Sequence, residues 1–325
     1  MSLIRLIGML TLLLTLNVFG WGEENIASLP AFSSEEIIND FLWKKFISLP
    51  AQARPKIALV LGGGGSRGLA HIGVLQVLAQ EQLPIDIVVG TSVGALVGGL
   101  YASGLPLEKI ETMAGDIGWE KISNISLASL VRLLVTEKLL SSKKMEKYLR
   151  KQIGDKRFDE LPIKFACIAC DIQTGERIIF RDGPVVPAMR ASATIPGVFQ
   201  PVEYRHRLLV DGGIVDNQPV DVAWLMGADL VIAVPVLADF TSYQTSNILL
   251  ILNQALYIQG KVLMQAQLEK ASLVITPKVG EINLMELWRG KECINAGSIA
   301  ARNSLAQIKS FLIKKYFQQI LDNPQ

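Results

Sequence analysis

Apolar and polar positions along the chain follow two alternating patterns. Short runs that are almost wholly apolar, at 56–61, 85–89, 163–170 and 230–234, predict strands. Between them, 66–80 and 92–103 predict helices, the second rich in Gly and Ala. Segments 177–181 and 207–210 predict two more strands, with helices between several of these later elements. Strands that alternate with helices define an α/β architecture. The runs that end before Gly62 and Gly90 carry so little polarity that they read as central strands, covered by helices on both faces.

The ends read differently. Arg5 precedes an apolar run over 6–19, broken by Thr11, Thr15 and Asn17, and Val18-Phe19-Gly20 supplies small residues where a signal peptidase cuts. The run is shorter than the roughly 20 residues of a spanning helix, so 1–20 is expected to be an export signal rather than an anchor. Location outside the cytoplasm follows, periplasmic or secreted, with membrane association open. Residues 21–54 form a lead-in with one amphipathic helix, from near Ser33 to near Pro50, and 55–236 form the core. Residues 237–325 form a helical extension with helices at 247–270 and 296–317, separated by Leu273-Val-Ile-Thr-Pro277. No repeat, low-complexity tract or long linker divides the chain.

Composition narrows the function classes. Of 325 residues, 50% are apolar and 19% charged, enough for a sizeable core, and a net charge of +2 gives too weak a field for nucleic-acid binding. Lys143, Lys144, Lys147, Arg150 and Lys151 recur at helical spacing and read as a solvated face, with attraction to anionic lipid as the functional alternative. Cys167 and Cys170 have the spacing of a metal or redox pair. On a strand, however, residues three apart point to opposite faces, so both read as buried hydrophobes.

Two Gly-rich turns, each between a strand and a helix, carry the candidate chemistry. Gly62-Gly-Gly-Gly-Gly65-Ser-Arg-Gly68 contains the Gly63-x-Gly65-x-x-Gly68 spacing of a pyrophosphate cradle. Dinucleotide binding also needs an acid at the end of the second strand, whereas Asp86 stands at its beginning. The absence of a Lys-Ser/Thr pair after the glycines excludes a nucleotide P-loop. The second turn, Gly90-Thr91-Ser92-Val93-Gly94, has the pattern of a nucleophile elbow, which lifts a serine hydroxyl above the sheet on a strained strand-to-helix turn. A helix-capping serine is the plain alternative. Of the two histidines, His206 lies in a polar hairpin turn, and His71, just after the first Gly-rich loop, reads as a loop support. Asp211-Gly212-Gly213 ends an apolar strand, where a general base in an open α/β sheet is expected and where a turn Asp is also common.

The Gly63–Gly68 loop with Arg67, the Gly90–Gly94 elbow and Asp211-Gly212-Gly213, in that order, resemble the three signatures of patatin-like phospholipases. Asp171–Glu176, Ala191–Gly197 with Pro201, Asn217-x-Pro219 and Gly227-Ala-Asp229 resemble that family's intervening blocks, so the likeness covers about residues 55–236. The tail beyond 236 resembles that of exported bacterial members less specifically, with Ser272 where an Asp is expected. The resemblance implies a three-layer α/β/α sandwich with a mostly parallel central sheet and a helical C-terminal extension. It also implies lipid acyl-ester hydrolysis by a Ser92–Asp211 dyad without histidine, with an oxyanion hole from the amides of Gly63, Gly64 and Gly65. Arg67 then steadies the loop or meets a lipid phosphate, and Gly68, Gly90, Gly94, Gly212 and Gly213 shape the turns. The implied substrate is a lipid or membrane surface, with no cofactor, no metal, no nucleic acid and no obligatory protein partner. Two alternatives are an exported non-catalytic lipid-binding protein that retains the site, and a dinucleotide-binding oxidoreductase.

Overall fold

In the computed structural model of the chain, residues 34–116, 140–239 and 248–322 are described. The predicted export segment, 1–20, and the first part of the lead-in lie outside them. The chain divides into two units, 1–42 and 43–325. The described part of the first is the opening of helix α1 (Ser34–Ile47), and everything below concerns the second.

Eight strands form one sheet: β1 (Ile57–Leu61), β2 (Ile87–Thr91), β3 (Lys164–Asp171), β4 (Arg177–Phe180), β5 (Val202–Tyr204), β6 (Arg207–Asp211), β7 (Leu230–Val234) and β8 (Leu273–Val274). Their order is β5-β6-β3-β2-β1-β7-β8, with β4 on β3 off that path. Strands β3, β2, β1, β7 and β8 are parallel, whereas β4 and β6 run antiparallel to β3, and β5 antiparallel to β6. β1 neighbours β2 on one side and β7 on the other, so the chain leaves it in a crevice where strand order reverses.

The helices are α2 (Ala70–Gln80), α3 (Val93–Ala102), α4 (Leu107–Asp116), α5 (Lys143–Ile153), α6 (Val185–Ser192), α7 (Val220–Leu225), α8 (Ile248–Leu268) and α9 (Gly290–Asp322). They cover both faces of the sheet. Alternate residues of the central strands, Ala58 and Val60, Ile87 and Val89, Val231 and Ala233, pack on one face with Val220, Val222 and Ala223 of α7. On the other face α3 comes close to the sheet at Gly98, where a Cβ would lie 2.8 Å from Val88 and 3.3 Å from Leu61. Both faces are dry, which is why these strands could be read from unbroken apolar runs.

Asp86, at the opening of β2, accepts two hydrogen bonds from Arg54, at 2.7 and 2.9 Å, and one from the Ile57 amide at 2.8 Å. It ties the start of β1 to β2, at the far end of the strand from the Gly-rich turns. Cys167 and Cys170 are free and buried, as is Cys293, and burial pushes the Cys167 thiol well up from its ordinary value. The basic residues of α5 are exposed while Met145, Leu149 and Ile153 face inward, the solvated face expected of that spacing.

Two boundaries differ from the sequence reading, and the short strand β8 is an addition to it. The helix expected over 66–80 opens with a 3₁₀ turn, Gly65–Leu69, because Gly65 has φ +56° and the Ser66 amide bonds to the Leu284 carbonyl at 3.0 Å. The strand around Leu273 holds two residues. Its preceding Ser272 exchanges bonds with Val231, the hydroxyl accepting from the Val231 amide at 3.1 Å. The last helix extends past the expected 296–317 at both ends.

Candidate active site

β3 acts as a ruler for the site. Thr91, the last residue of β2, is in register with Ile168, and Asp211, the last of β6, is in register with Ala169. The ends of two strands 120 residues apart in sequence therefore meet over neighbouring residues of a third, and Ser92 follows directly on Thr91. Its hydroxyl lies close enough to the Asp211 carboxylate to favour the ionised form of that acid.

Ser92 sits at φ 57° and ψ −127°, a backbone conformation that an L side chain adopts at a cost of about 1–3 kcal/mol. The surroundings hold it there. The Ser92 amide donates to the Ser192 hydroxyl at 3.0 Å, and the Thr91 hydroxyl donates to the Asp216 carbonyl at 3.0 Å. The flanking glycines have no room for a side chain: a Cβ on Gly94 would lie 2.1 Å from the Leu61 carbonyl oxygen, and one on Gly90 would lie 2.5 Å from that of Gly94. Gly68 lies against Val93 in the same tight fit.

Asp211 is buried, and its carboxylate also accepts from the Gly213 amide at 2.8 Å. Burial pushes its pKa up from 3.8 to about 6, against the Ser92 hydroxyl and the Gly213 amide, which both favour the ionised form. Gly212 lets this turn close on β3, since a Cβ there would lie 2.4 Å from the Ile168 carbonyl oxygen.

The first Gly-rich loop lies against the serine; a Cβ on Gly63 would come within 2.9 Å of the Ser92 Cβ. Its amides are not equivalent. The Gly62 amide donates to the Val234 carbonyl at 3.2 Å, the Ser66 amide to Leu284, and the Gly63 amide to Asn217, at 3.1 Å to Oδ1 and 3.3 Å to the backbone oxygen. Among the described residues the amides of Gly64 and Gly65 make no hydrogen bond. The expectation of three open amides thus meets a loop with two, because a side chain from the β6–α7 connection has taken the first. His71 lies fully buried beneath the loop, with Nε2 2.7 Å from the Gly62 carbonyl oxygen. That oxygen can only accept, so Nε2 carries the proton. Burial holds the imidazole neutral, with a pKa down at about 4. Arg67 is buried and donates to the Ile282 carbonyl at 3.1 Å, and the Ser66 hydroxyl donates to Asn283. The Ile282 bond ties Arg67 to the segment that follows the core. His206 is exposed in the β5–β6 turn at φ 63°.

Sequence reasoning missed three residues around this loop: Ser192, Asn217 and Gln218. Ser192 and Asn217 stand in blocks already noted for their likeness to a family pattern, which was the available signal. Their contacts span 100 and 154 positions, and no local pattern encodes those.

Fold and site together define an α/β protein with a serine on a strained strand-to-helix turn, set beside a buried carboxylate and overlaid by a glycine loop. Residues 59–224 match the family described as patatin-like phospholipase, and the chain belongs to that family. An uncharacterized NTE family protein of Mycobacterium tuberculosis is 39% identical over 185 residues, which cover 55% of this chain and 49% of the relative. The lysophospholipase NTE1 of Kluyveromyces lactis is 34% identical over 210 residues, 63% of this chain and 14% of that one. The chain thus spans about half the length, or less, of these curated relatives. Human GIVD cytosolic phospholipase A2 has a similar fold, with a TM-score of 0.50 at 12% identity, over 88% of this chain and 65% of that structure.

Proposed function

We propose that the chain hydrolyses acyl esters of lipids, with Ser92 as nucleophile and Asp211 as its proton acceptor. The observation that carries this reading is the placement of Ser92, held at positive φ, beside a buried carboxylate whose pKa is raised to about 6, the two brought together over neighbouring residues of β3. A carboxylate of ordinary pKa is a weak base toward an alcohol, and the raised value brings it nearer the working range. Ser92 Oγ attacks the ester carbonyl carbon as its proton passes to Asp211, and the carbonyl oxygen becomes an oxyanion beside the open amides of Gly64 and Gly65. Collapse breaks the bond to the leaving alcohol, which takes the proton from Asp211. A water then repeats the sequence on the acyl-serine and releases the fatty acid. Each oxyanion donor contributes about 3 kcal/mol at the transition state.

A lipid or membrane-surface substrate is supported by α8. Met264 on its inner side has Sδ 4.0 Å from Asn217 Nδ2, while Ile251, Ile258 and Val262 are 52%, 52% and 61% exposed on its outer side. The helix carries one lysine and no acid over 21 residues. An apolar, weakly basic surface beside the site suits a bilayer better than water. The reading extends to an exported protein with a catalytic core at 55–236, on the strength of the Arg5-led apolar segment 6–19 and the motif layout.

The test is hydrolysis of a short-chain chromogenic ester and a fluorescent phospholipid by the full chain, Ser92→Ala and Asp211→Asn. Both variants are expected to lose at least about 10⁴-fold in kcat with the fold intact by circular dichroism. A Ser92→Ala protein within about tenfold of the parent contradicts the mechanism. A parent inactive on every ester leaves the lipid-binding reading.

A further inference from the structure

We propose that Asn217 is a positioning residue for this reaction: its carboxamide grips both polar groups of Gly63 and so keeps the next two amides open beside Ser92. The inference rests on the hydrolase reading above and assigns a role to a residue that touches no reacting atom.

The grip is two-sided. Asn217 Oδ1 accepts from the Gly63 amide at 3.1 Å, and Nδ2 donates to the Gly63 carbonyl oxygen at 3.1 Å. A side chain that both donates and accepts at this reach must be a short carboxamide, because a carboxylate would set an oxygen against the Gly63 carbonyl. Neighbouring grips hold the residues just before: His71 Nε2 donates to Gly62, and Gln218 Nε2 donates to the Val60 carbonyl at 3.0 Å. Side chains thus hold the carbonyls of Val60 and Gly62 and both polar groups of Gly63, whereas among the described residues the amides of Gly64 and Gly65 make no hydrogen bond.

A Gly-rich segment has more backbone freedom to lose than any other, and an oxyanion donor acts only if it is in place before charge develops. Without the Asn217 side chain, the Gly63 amide keeps only its 3.3 Å bond to the Asn217 backbone oxygen and the Gly63 carbonyl is freed, so the peptide that follows would have to be ordered during the reaction. Asn217 and Asp211 also come from one short stretch that folds back through the 3₁₀ turn Gly212–Ile214. A Cβ on Gly213 would lie 3.0 Å from Asn217 Oδ1 and 3.1 Å from Asp211 Oδ1, so the bare glycine lets the two side chains share one space. The connection after β6 therefore supplies the proton acceptor and aligns the loop opposite it.

The experiment compares the full-length parent, Asn217→Ala and Asn217→Asp on a soluble short-chain ester, above pH 7. It also measures inhibition by an alkyl trifluoromethyl ketone, whose adduct carries the oxyanion, and hydrogen exchange at the Gly63 amide. For Asn217→Ala we expect kcat to fall about 100-fold with KM within about threefold. The ketone should bind weaker by a similar factor, and the exchange protection of Gly63 should fall to what its 3.3 Å bond to the Asn217 backbone oxygen gives. The near-isosteric Asn217→Asp should show the same fall in kcat, since it cannot donate to the Gly63 carbonyl, and it serves if the alanine variant does not fold. A kcat within about threefold of the parent in either variant overturns the proposal, as does a loss confined to KM or a Gly63 amide unprotected in the parent. A parent that cleaves no ester and binds no ketone, with Gly63 protected, overturns the hydrolase reading and the positioning role with it. An active parent with an unaffected Asn217→Ala overturns the positioning role alone.

Discussion

Asp211 and His71 are two buried titratable groups whose proton affinities burial moves in opposite directions, to about 6 and about 4. For activity the sign is simple. Asp211 must be ionised to accept the serine proton, so kcat/KM should fall tenfold per pH unit below about 6 and level off above it. For stability the two oppose each other. The native state holds a proton on Asp211 that the unfolded chain has released between pH 3.8 and 6, so this group's contribution is lost as pH rises through about 6. His71 contributes stability above its ordinary value of 6.5, lost as pH falls through about 4. Asp211→Asn should therefore raise stability at pH 7 by up to about 3 kcal/mol and uncover the His71 slope, with denaturation midpoints declining steadily from pH 6.5 to 4. Urea titrations across that range check both, and a midpoint at pH 7 unchanged by Asp211→Asn contradicts the burial argument. Ser92 and Asp211 were legible as candidates because each ends an apolar run beside glycines, a local feature. Asn217, Gln218 and Ser192 were not, because an amide or hydroxyl becomes part of a site only through the distant backbone it meets.

At the scale of elements, α2 and α9 meet backbone to backbone. A Cβ on Gly73 would lie 1.9 Å from the Ile294 carbonyl oxygen, and one on Gly297 would lie 1.9 Å from that of Ala70. Backbone meets backbone here, so no rotamer change can relieve an added methyl. Gly297→Ala should destabilise the protein by about 1–3 kcal/mol despite alanine's better helix propensity. Gly260→Ala on α8, where nothing lies within 4 Å, should stabilise it by about 0.5–1 kcal/mol. Chemical denaturation of the pair separates packing from propensity, and a stabilised Gly297→Ala would refute the close approach. Four of the strands were readable from nearly unbroken runs of apolar residues, since burial on both faces removes polar positions. The 3₁₀ opening of the Gly65 turn was not, because it is set by Leu284, more than two hundred residues away. The short helix α7 was also hidden: six residues are too few for a period to show.

For the whole molecule, a chain with net charge +2 has little long-range field, and its match to a lipid substrate rests on the apolar outer side of α8. Residues 282–284, far along the extension after the core, hold Ser66 and Arg67 of the Gly-rich loop, so the tail takes part in shaping the site. The fold class was legible because strand and helix periods alternate along the whole core, and the family because its three glycine signatures occur together in order. The central claim is that Ser92 is a nucleophile activated by Asp211. The most direct measurement is labelling of the full chain with an alkyl fluorophosphonate at a series of pH values, followed by peptide mass analysis. A phosphonyl adduct on Ser92 is predicted, absent from Ser92→Ala, with fluoride leaving as the serine proton passes to Asp211 and a rate that climbs to a plateau above about pH 6. An adduct on a different residue, or a rate indifferent to Asp211→Asn, would contradict the account.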